Sequence, residues 1–163
     1  MVTDFIFNEI VKFEPGIISD LLFKSYAEIL DEDLQEQFLQ FDREVFEKPE
    51  TIGACTFITT LGREIIGMAS YDPRQAPELG IIGHNCILPE NQGYGYGKLQ
   101  ILETIRRLKF RHVDRIVAMT SEHPFFRPAC RMYLSCGFYE VKRNRKQPQD
   151  AYKTICFELN LTR

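Results

Sequence analysis

A chain of 163 residues, 44% apolar and 26% charged, has the make-up of a soluble globular protein and the length of one domain. No apolar run is long enough to cross a bilayer, and Met1–Glu9, which carries Asp4 and Glu9 and no basic segment ahead of an apolar core, does not read as a secretory leader. The five cysteines form no Cys-x-x-Cys pair, and His84, His112 and His123 show no ligand spacing, so reduced thiols, a cytoplasmic setting and no metal are expected.

The net charge of -3 is unevenly placed. Residues 1–50 hold 13 Asp and Glu against 4 Lys and Arg, whereas residues 51–163 hold 10 against 16. Such asymmetry bears on partners. An acidic first half suits a cationic ligand and a basic second half an anionic one, although solvated helix faces explain most of the individual charges.

In chain order, Val2–Val11, with Phe5, Ile6, Phe7, Ile10 and Val11, predicts a first strand that Pro15-Gly16 breaks. Ile17, Ile18, Leu21, Leu22, Tyr26 and Ile29 then recur at helical spacing. Asp31 is placed to cap a second helix with the stripe Leu34, Phe38, Phe41 and Val45, ending by Pro49. Gly53–Thr60 and Ile65–Tyr71 are rich in β-branched and aromatic residues. They flank Leu61-Gly62-Arg63-Glu64, which predicts a hairpin. Asp72-Pro73 and Ala76-Pro77 mark a loop, and Leu79–Leu88 a further strand.

Pro89 stops that strand, because it has no N–H to donate. Leu99, Leu102, Ile105 and Leu108 predict the apolar face of a helix ending near Phe110–His112. Asp114–Thr120 reads as a strand with Ile116, Val117, Ala118 and Met119 buried, completing a βαβ unit. A helix over Phe125–Cys136, closed by Gly137, and strands over Phe138–Arg143 and Tyr152–Leu159 follow. The order β-α-α-β-β-β-α-β-α-β-β defines an α/β fold with a mixed sheet, in a single domain spanning 1–163.

Between the third strand of the middle run and the helix lies Gln92-Gly-Tyr-Gly-Tyr-Gly-Lys98. Bare N–H groups at a helix start make an anion site, and Lys98 adds a cation. The spacing is not a P-loop, since Gln92 and Leu99 stand where Gly and Ser or Thr are required. Nor is it the dinucleotide fingerprint, whose third glycine would fall at Lys98.

Gln-x-x-Gly-x-Gly, at Gln92, Gly95 and Gly97 after a strand and Pro89, resembles the acyl-CoA-binding loop of the GCN5-related N-acetyltransferases, the GNAT superfamily. A second stretch, Ala129, Tyr133, Gly137 and Phe138, is similar to that superfamily's Asn-x-x-Ala-x-x-Leu-Tyr-x-x-x-Gly-Phe. Met132 replaces the Leu, and Phe126 stands where the family usually has an Asn that contacts the pantetheine arm.

The resemblance implies acetyl-CoA as cofactor and acetyl transfer to a primary amine of a small molecule or peptide, by direct transfer. It places the pyrophosphate on the amides of Gln92, Gly93, Tyr94, Gly95, Tyr96, Gly97 and Lys98. The polarising N–H falls to Ile87 or Leu88, the general acid to Tyr133, and Phe126 sits beside the arm. For the base, His84 ranks first, since an imidazole titrates near neutrality; Glu78 and Glu90 are the others. The alternative is a non-catalytic acyl-CoA-binding module of the same fold. Four Arg and one Lys over Arg106–Arg115 read as a solvated helix face, so neither nucleic acid nor membrane is expected as a partner. The resemblance also allows a homodimer, through an exposed C-terminal strand.

Overall fold

The computed structural model describes residues 4–162, so Val2 and Thr3 of the expected first strand lie outside the described residues. The elements are β1 (Phe5–Glu9), α1 (Ile17–Ser25), α2 (Glu32–Glu47), β2 (Thr56–Leu61), β3 (Glu64–Asp72), β4 (Gly80–Ile87), α3 (Tyr96–Phe110), β5 (Arg115–Ser121), α4 (Arg127–Ser135), β6 (Tyr139–Asn144) and β7 (Thr154–Asn160). The strands form a mixed sheet ordered β1-β2-β3-β4-β5-β7-β6. β4 and β5 are parallel, with Gly80 opposite Ile116 and Ile81 opposite Val117, so α3 is the crossover of a βαβ unit as the pattern predicted. The contacts divide the described residues into two units, 4–70 with 84–100 and 71–83 with 101–162, and β3, β4 and α3 run through both.

In the first unit β1 pairs with β2 from Phe5↔Leu61 to Glu9↔Phe57, and β2 pairs with β3 across a bulge at Thr59/Thr60. Its core gathers Ile18, Leu21 and Leu22 of α1, Phe38 and Val45 of α2, and Ile58, Met68 and Cys86 of the sheet. Asp31 caps α2 as expected, accepting the Leu34 N–H at 2.8 Å. Asp42 is buried and accepts the N–H groups of Gly16 (2.9 Å) and Ser19 (3.0 Å). It therefore closes the open donors at the start of α1, whose own N-cap Gly16 has no side chain to do so. This carboxylate is committed to holding two helices together and does not contribute to an acidic surface.

Gln100, 1% exposed, is the polar centre of this unit. Its Nε2 donates to the carbonyls of Met68 (3.1 Å) and Cys86 (3.2 Å), and its Oε1 accepts from Thr59 Oγ1 at 2.5 Å. One side chain on α3 thus ties together β2, β3 and β4. Gly67 leaves the room for it, since a Cβ there would sit 2.2 Å from the Cys86 carbonyl oxygen and 3.1 Å from Gln100 Oε1.

In the second unit β7 lies between β5 and β6, pairing Arg115↔Asn160 to Ser121↔Thr154 on one side and Tyr139↔Glu158 to Asn144↔Thr154 on the other. The exposed edge is therefore β6 and not the C-terminal strand, which corrects the expectation attached to a homodimer. α4 ends at Ser135 with Cys136 as its C-cap, and the chain turns away at Gly137, whose φ of 96° is the left-handed conformation that favours glycine. The Tyr133 ring packs against Phe138 at 5.5 Å and against Phe157 of β7 at 5.8 Å.

Two apolar stripes hold only in part. On α3, Leu99 and Leu102 are 44% and 41% exposed, and the buried side chains are Gln100, Ile101, Thr104, Ile105 and Leu108. Hydrophobicity pointed along the wrong line because two polar residues, Gln100 and Thr104, belong to the inner face. On β5, Met119 is 47% exposed while Ile116 and Ala118 are buried, the alternation a strand imposes on a continuous apolar run.

Replacing Gln100 by Leu leaves two buried carbonyls without their amide donor at nearly constant side-chain volume. The expected cost is about 1–3 kcal/mol, seen as a melting temperature lower by about 2–4 °C per kcal/mol. An unchanged thermal midpoint would show that the amide is not what holds these strands.

Candidate active site

The glycine loop belongs to the first unit. Leu88 donates its backbone N–H to the Ile66 carbonyl at 2.7 Å. Successive residues of a strand turn their backbone groups to opposite edges, so the N–H and C=O of Ile87 face away from β3. Of the two polarising donors anticipated, Leu88 is engaged in the sheet and Ile87 is the one directed elsewhere. The Ile87 carbonyl accepts Gln92 Nε2 at 2.9 Å, so the first residue of the Gln-x-x-Gly-x-Gly stretch folds back and pins the loop to the strand end.

Gly93 and Gly95 have φ of 86° and 87°, and a Cβ built on either meets nothing within 4 Å. These glycines are required by conformation, with open space over them. Leu99 donates to the Gly95 carbonyl at 3.2 Å, the first turn of α3. The N–H groups of Tyr96, Gly97 and Lys98 precede that bond and have no carbonyl four residues back within the helix, so they point out of its N-terminus, where the dipole favours an anion. The Tyr96 ring is stacked on Phe5 of β1 (5.4 Å, 19°), an anchor that the sequence pattern did not signal.

His84 also belongs to this unit. Its ring is packed edge-on against Phe38 (5.5 Å) and Phe41 (4.8 Å) of α2, and its carbonyl accepts from Ser70 Oγ at 2.8 Å. Tyr26 donates its hydroxyl to the neighbouring Asn85 carbonyl at 3.3 Å. Burial among these rings lowers the imidazole pKa below its ordinary 6.5, so His84 is neutral at pH 7 and can accept a proton. Spacing on α2 identified Phe38 and Phe41 as core, and Phe38 is; Phe41 is only half-buried and presents its ring to His84.

Tyr133, Phe126 and Glu78 are in the second unit. Tyr133 is 4% exposed, with Phe138 and Phe157 against its ring. Phe126 is the N-cap residue of α4, makes no side-chain cap bond, and lies edge-on to Phe125 at 5.0 Å. Glu78 is exposed and precedes β4, whereas the glycine loop follows that strand's other end. Glu90 sits in the short 3-10 turn Pro89–Asn91 and is exposed. None of the five cysteines is in a disulfide. Burial pushes the Cys86 thiol up to about 11, and raises the thiols of Cys130 and Cys156 as well. Among the described residues no group of His, Cys, Asp and Glu is arranged to hold a metal, and no helix is long and apolar enough to cross a membrane.

The profile of the acetyltransferase (GNAT) family matches residues 18–138, and the chain belongs to that family. Its fold is shared with a GNAT-family protein from Desulfovibrio desulfuricans (TM-score 0.79, 16% identity, 98% of this chain and 99% of that one). It is shared too with a chain of the NatC complex bound to Gag peptide and CoA (0.71, 18%, 99% and 100%). YncA of Salmonella typhimurium, solved with its cofactor acetyl-CoA, is similar at TM-score 0.74 and 13% identity, over 99% of this chain and 95% of that one. No curated protein matches the sequence at significant similarity.

The lowered His84 pKa has a consequence for stability. The unfolded chain, with an ordinary histidine, binds the proton more readily than the folded one. This contribution is therefore fully present above pH 6.5 and is lost as pH falls from there toward the folded-state value. Denaturant titrations between pH 7 and pH 5 are expected to show the wild type weakening and His84→Gln following a flatter course. Parallel curves would place the acid sensitivity elsewhere.

Proposed function

We propose that the chain is an acetyl-CoA-dependent N-acetyltransferase that moves an acetyl group directly to a primary amine of a small molecule or peptide. The observation that carries this reading is the loop at the start of α3. Three outward N–H groups, at Tyr96, Gly97 and Lys98, lie beside the open space over Gly93 and Gly95, and Gln92 fixes the loop to Ile87. Such a cradle suits a pyrophosphate. Acetyl-CoA supplies the acetyl group as an activated thioester. The Ile87 N–H is the donor proposed for the thioester oxygen, where developing charge is best stabilised by a fixed dipole. Neutral His84 is the base proposed to take a proton from the acceptor ammonium so that the free amine attacks, and Tyr133 the acid that protonates the departing thiolate. Direct transfer is favoured over an acyl-enzyme on Cys86, Cys130 or Cys156. Cys86, at about 11, stays protonated near neutrality, and the thiols of Cys130 and Cys156 are shifted in the same unreactive direction.

A second reading, a non-catalytic acyl-CoA-binding module, is favoured by one residue. Phe126 caps α4 without a polar side-chain atom to offer a ligand.

Calorimetric titration with acetyl-CoA is expected to give micromolar binding that Gly95→Glu abolishes, because the substitution strains a backbone held at φ 87° and carries negative charge to the anion site. Circular dichroism checks that the variant still folds. Wild-type protein that ignores acetyl-CoA would sink the proposal. With an accepted amine in hand, Tyr133→Phe is expected to lower kcat by about 10²–10⁴-fold while acetyl-CoA affinity holds. Binding without turnover in the wild type itself would decide for the second reading.

A further inference from the structure

Tyr94 is 70% exposed, although it is an aromatic residue in the middle of the glycine loop. It is the outermost member of a row of rings in the first unit. Phe57, buried in β2, meets Phe7 edge-on at 5.0 Å, and Phe7 meets Phe5 edge-on at 5.1 Å. Phe5 stacks on Tyr96 at 5.4 Å, and Tyr96 lies 5.9 Å from Tyr94 with the rings tilted by 32°. Tyr96 is thus held by packing against β1, while Tyr94 rests on Tyr96 and turns its outer face to solvent. The chain from Tyr94 to Tyr96 reaches at most about 7 Å, so this ring lies within a short ligand's reach of the outward N–H groups of Tyr96, Gly97 and Lys98. Gly93 and Gly95, on either side of Tyr94, carry no side chain and have open space over them, which leaves a flat ligand free to lie across the loop.

A ligand that uses both features joins an anionic group, through a short linker, to a flat π-rich ring. A nucleotide has that construction. We propose that Tyr94 is the stacking platform for the adenine base of a CoA-type donor, with Tyr96 and Phe5 holding its ring in place. The inference rests on the acetyl-CoA reading and adds the part of the donor that loop amides alone do not recognise. Every base has a π-face, so stacking needs no hydrogen-bond partner on the protein. A ring already fixed by its neighbours loses little freedom when the base arrives. Lys98, exposed in the first turn of α3, supplies a cation for the phosphates beside it.

The test titrates CoA and phosphopantetheine, which keeps a phosphate and the arm but has no adenosine, into wild type, Tyr94→Leu and Tyr94→Phe. Tyr94→Leu is expected to bind CoA about tenfold more weakly or worse. Tyr94→Phe keeps the wild-type affinity, and phosphopantetheine binds all three proteins alike. The chain contains no Trp, so tyrosine emission gives a second readout: CoA quenches it in the wild type, and the quench shrinks in Tyr94→Leu. Equal CoA affinity in wild type and Tyr94→Leu would overturn the inference. So would a parallel loss of CoA and phosphopantetheine, which marks a disturbed loop instead of a lost platform. Failure of the wild type to bind CoA at all is a different result and would overturn the acetyl-CoA reading itself.

Discussion

The carboxamide of Gln100 is the interaction on which the first unit turns. A buried amide is costly without partners. Here its donor side takes two main-chain oxygens on adjacent strands, Met68 and Cys86, and its acceptor side takes the Thr59 hydroxyl. The partners are fixed in number and direction, so the rotation of α3 about its own axis is fixed as well. That rotation determines where the helix N-terminus, and with it the Tyr96–Lys98 amides, points. Gly67 belongs to the same arrangement, since any larger residue would press on the Cys86 carbonyl that Gln100 needs. A residue with no chemical role thereby sets the aim of the anion cradle.

The loop itself is held at both ends by different forces. Gln92 binds it to Ile87 through a hydrogen bond, and Tyr96 binds it to Phe5 through ring contact. Between these points the glycines take the positive φ that other residues resist. The result is a backbone whose donors are ordered before any ligand arrives. Preorganised dipoles of this kind stabilise charge without having to reorient when it appears. His84 shows the complementary principle: rings around an ionisable group keep it uncharged, which is the state a proton acceptor must occupy.

Much of this was legible in the sequence, and the reasons differ by element. The glycine loop announced itself because backbone conformation restricts which residues are tolerated, and Pro89 and the three glycines leave few alternatives. The strand and helix order followed from apolar runs punctuated by Pro and Gly. What stayed hidden were polar residues facing inward. Gln100 and Thr104 look like surface positions of an amphipathic helix, and their presence in the core displaced the inferred stripe onto Leu99 and Leu102. Asp42 counted toward an acidic first half, yet its oxygens are taken up by the Gly16 and Ser19 amides. In each case the signal lies in a partner far away in sequence, which periodicity cannot see. The same limit applies to Phe5, which a strand pattern places in a sheet but does not place under Tyr96.

β6 carries a last implication, about crowded solution. A row of unpaired backbone groups at a sheet margin is a template on which further chains can add. Here the ladder slips between Glu140 and Lys142, and the strand displays Glu140, Lys142 and Arg143, with Arg143 already bridged to Glu140 and Glu122. An incoming strand would meet a broken hydrogen-bond rhythm and would have to desolvate those charges. The charges and the slipped register make this margin a poor template for an added strand, even with the side chains of Tyr139 and Val141 exposed between them.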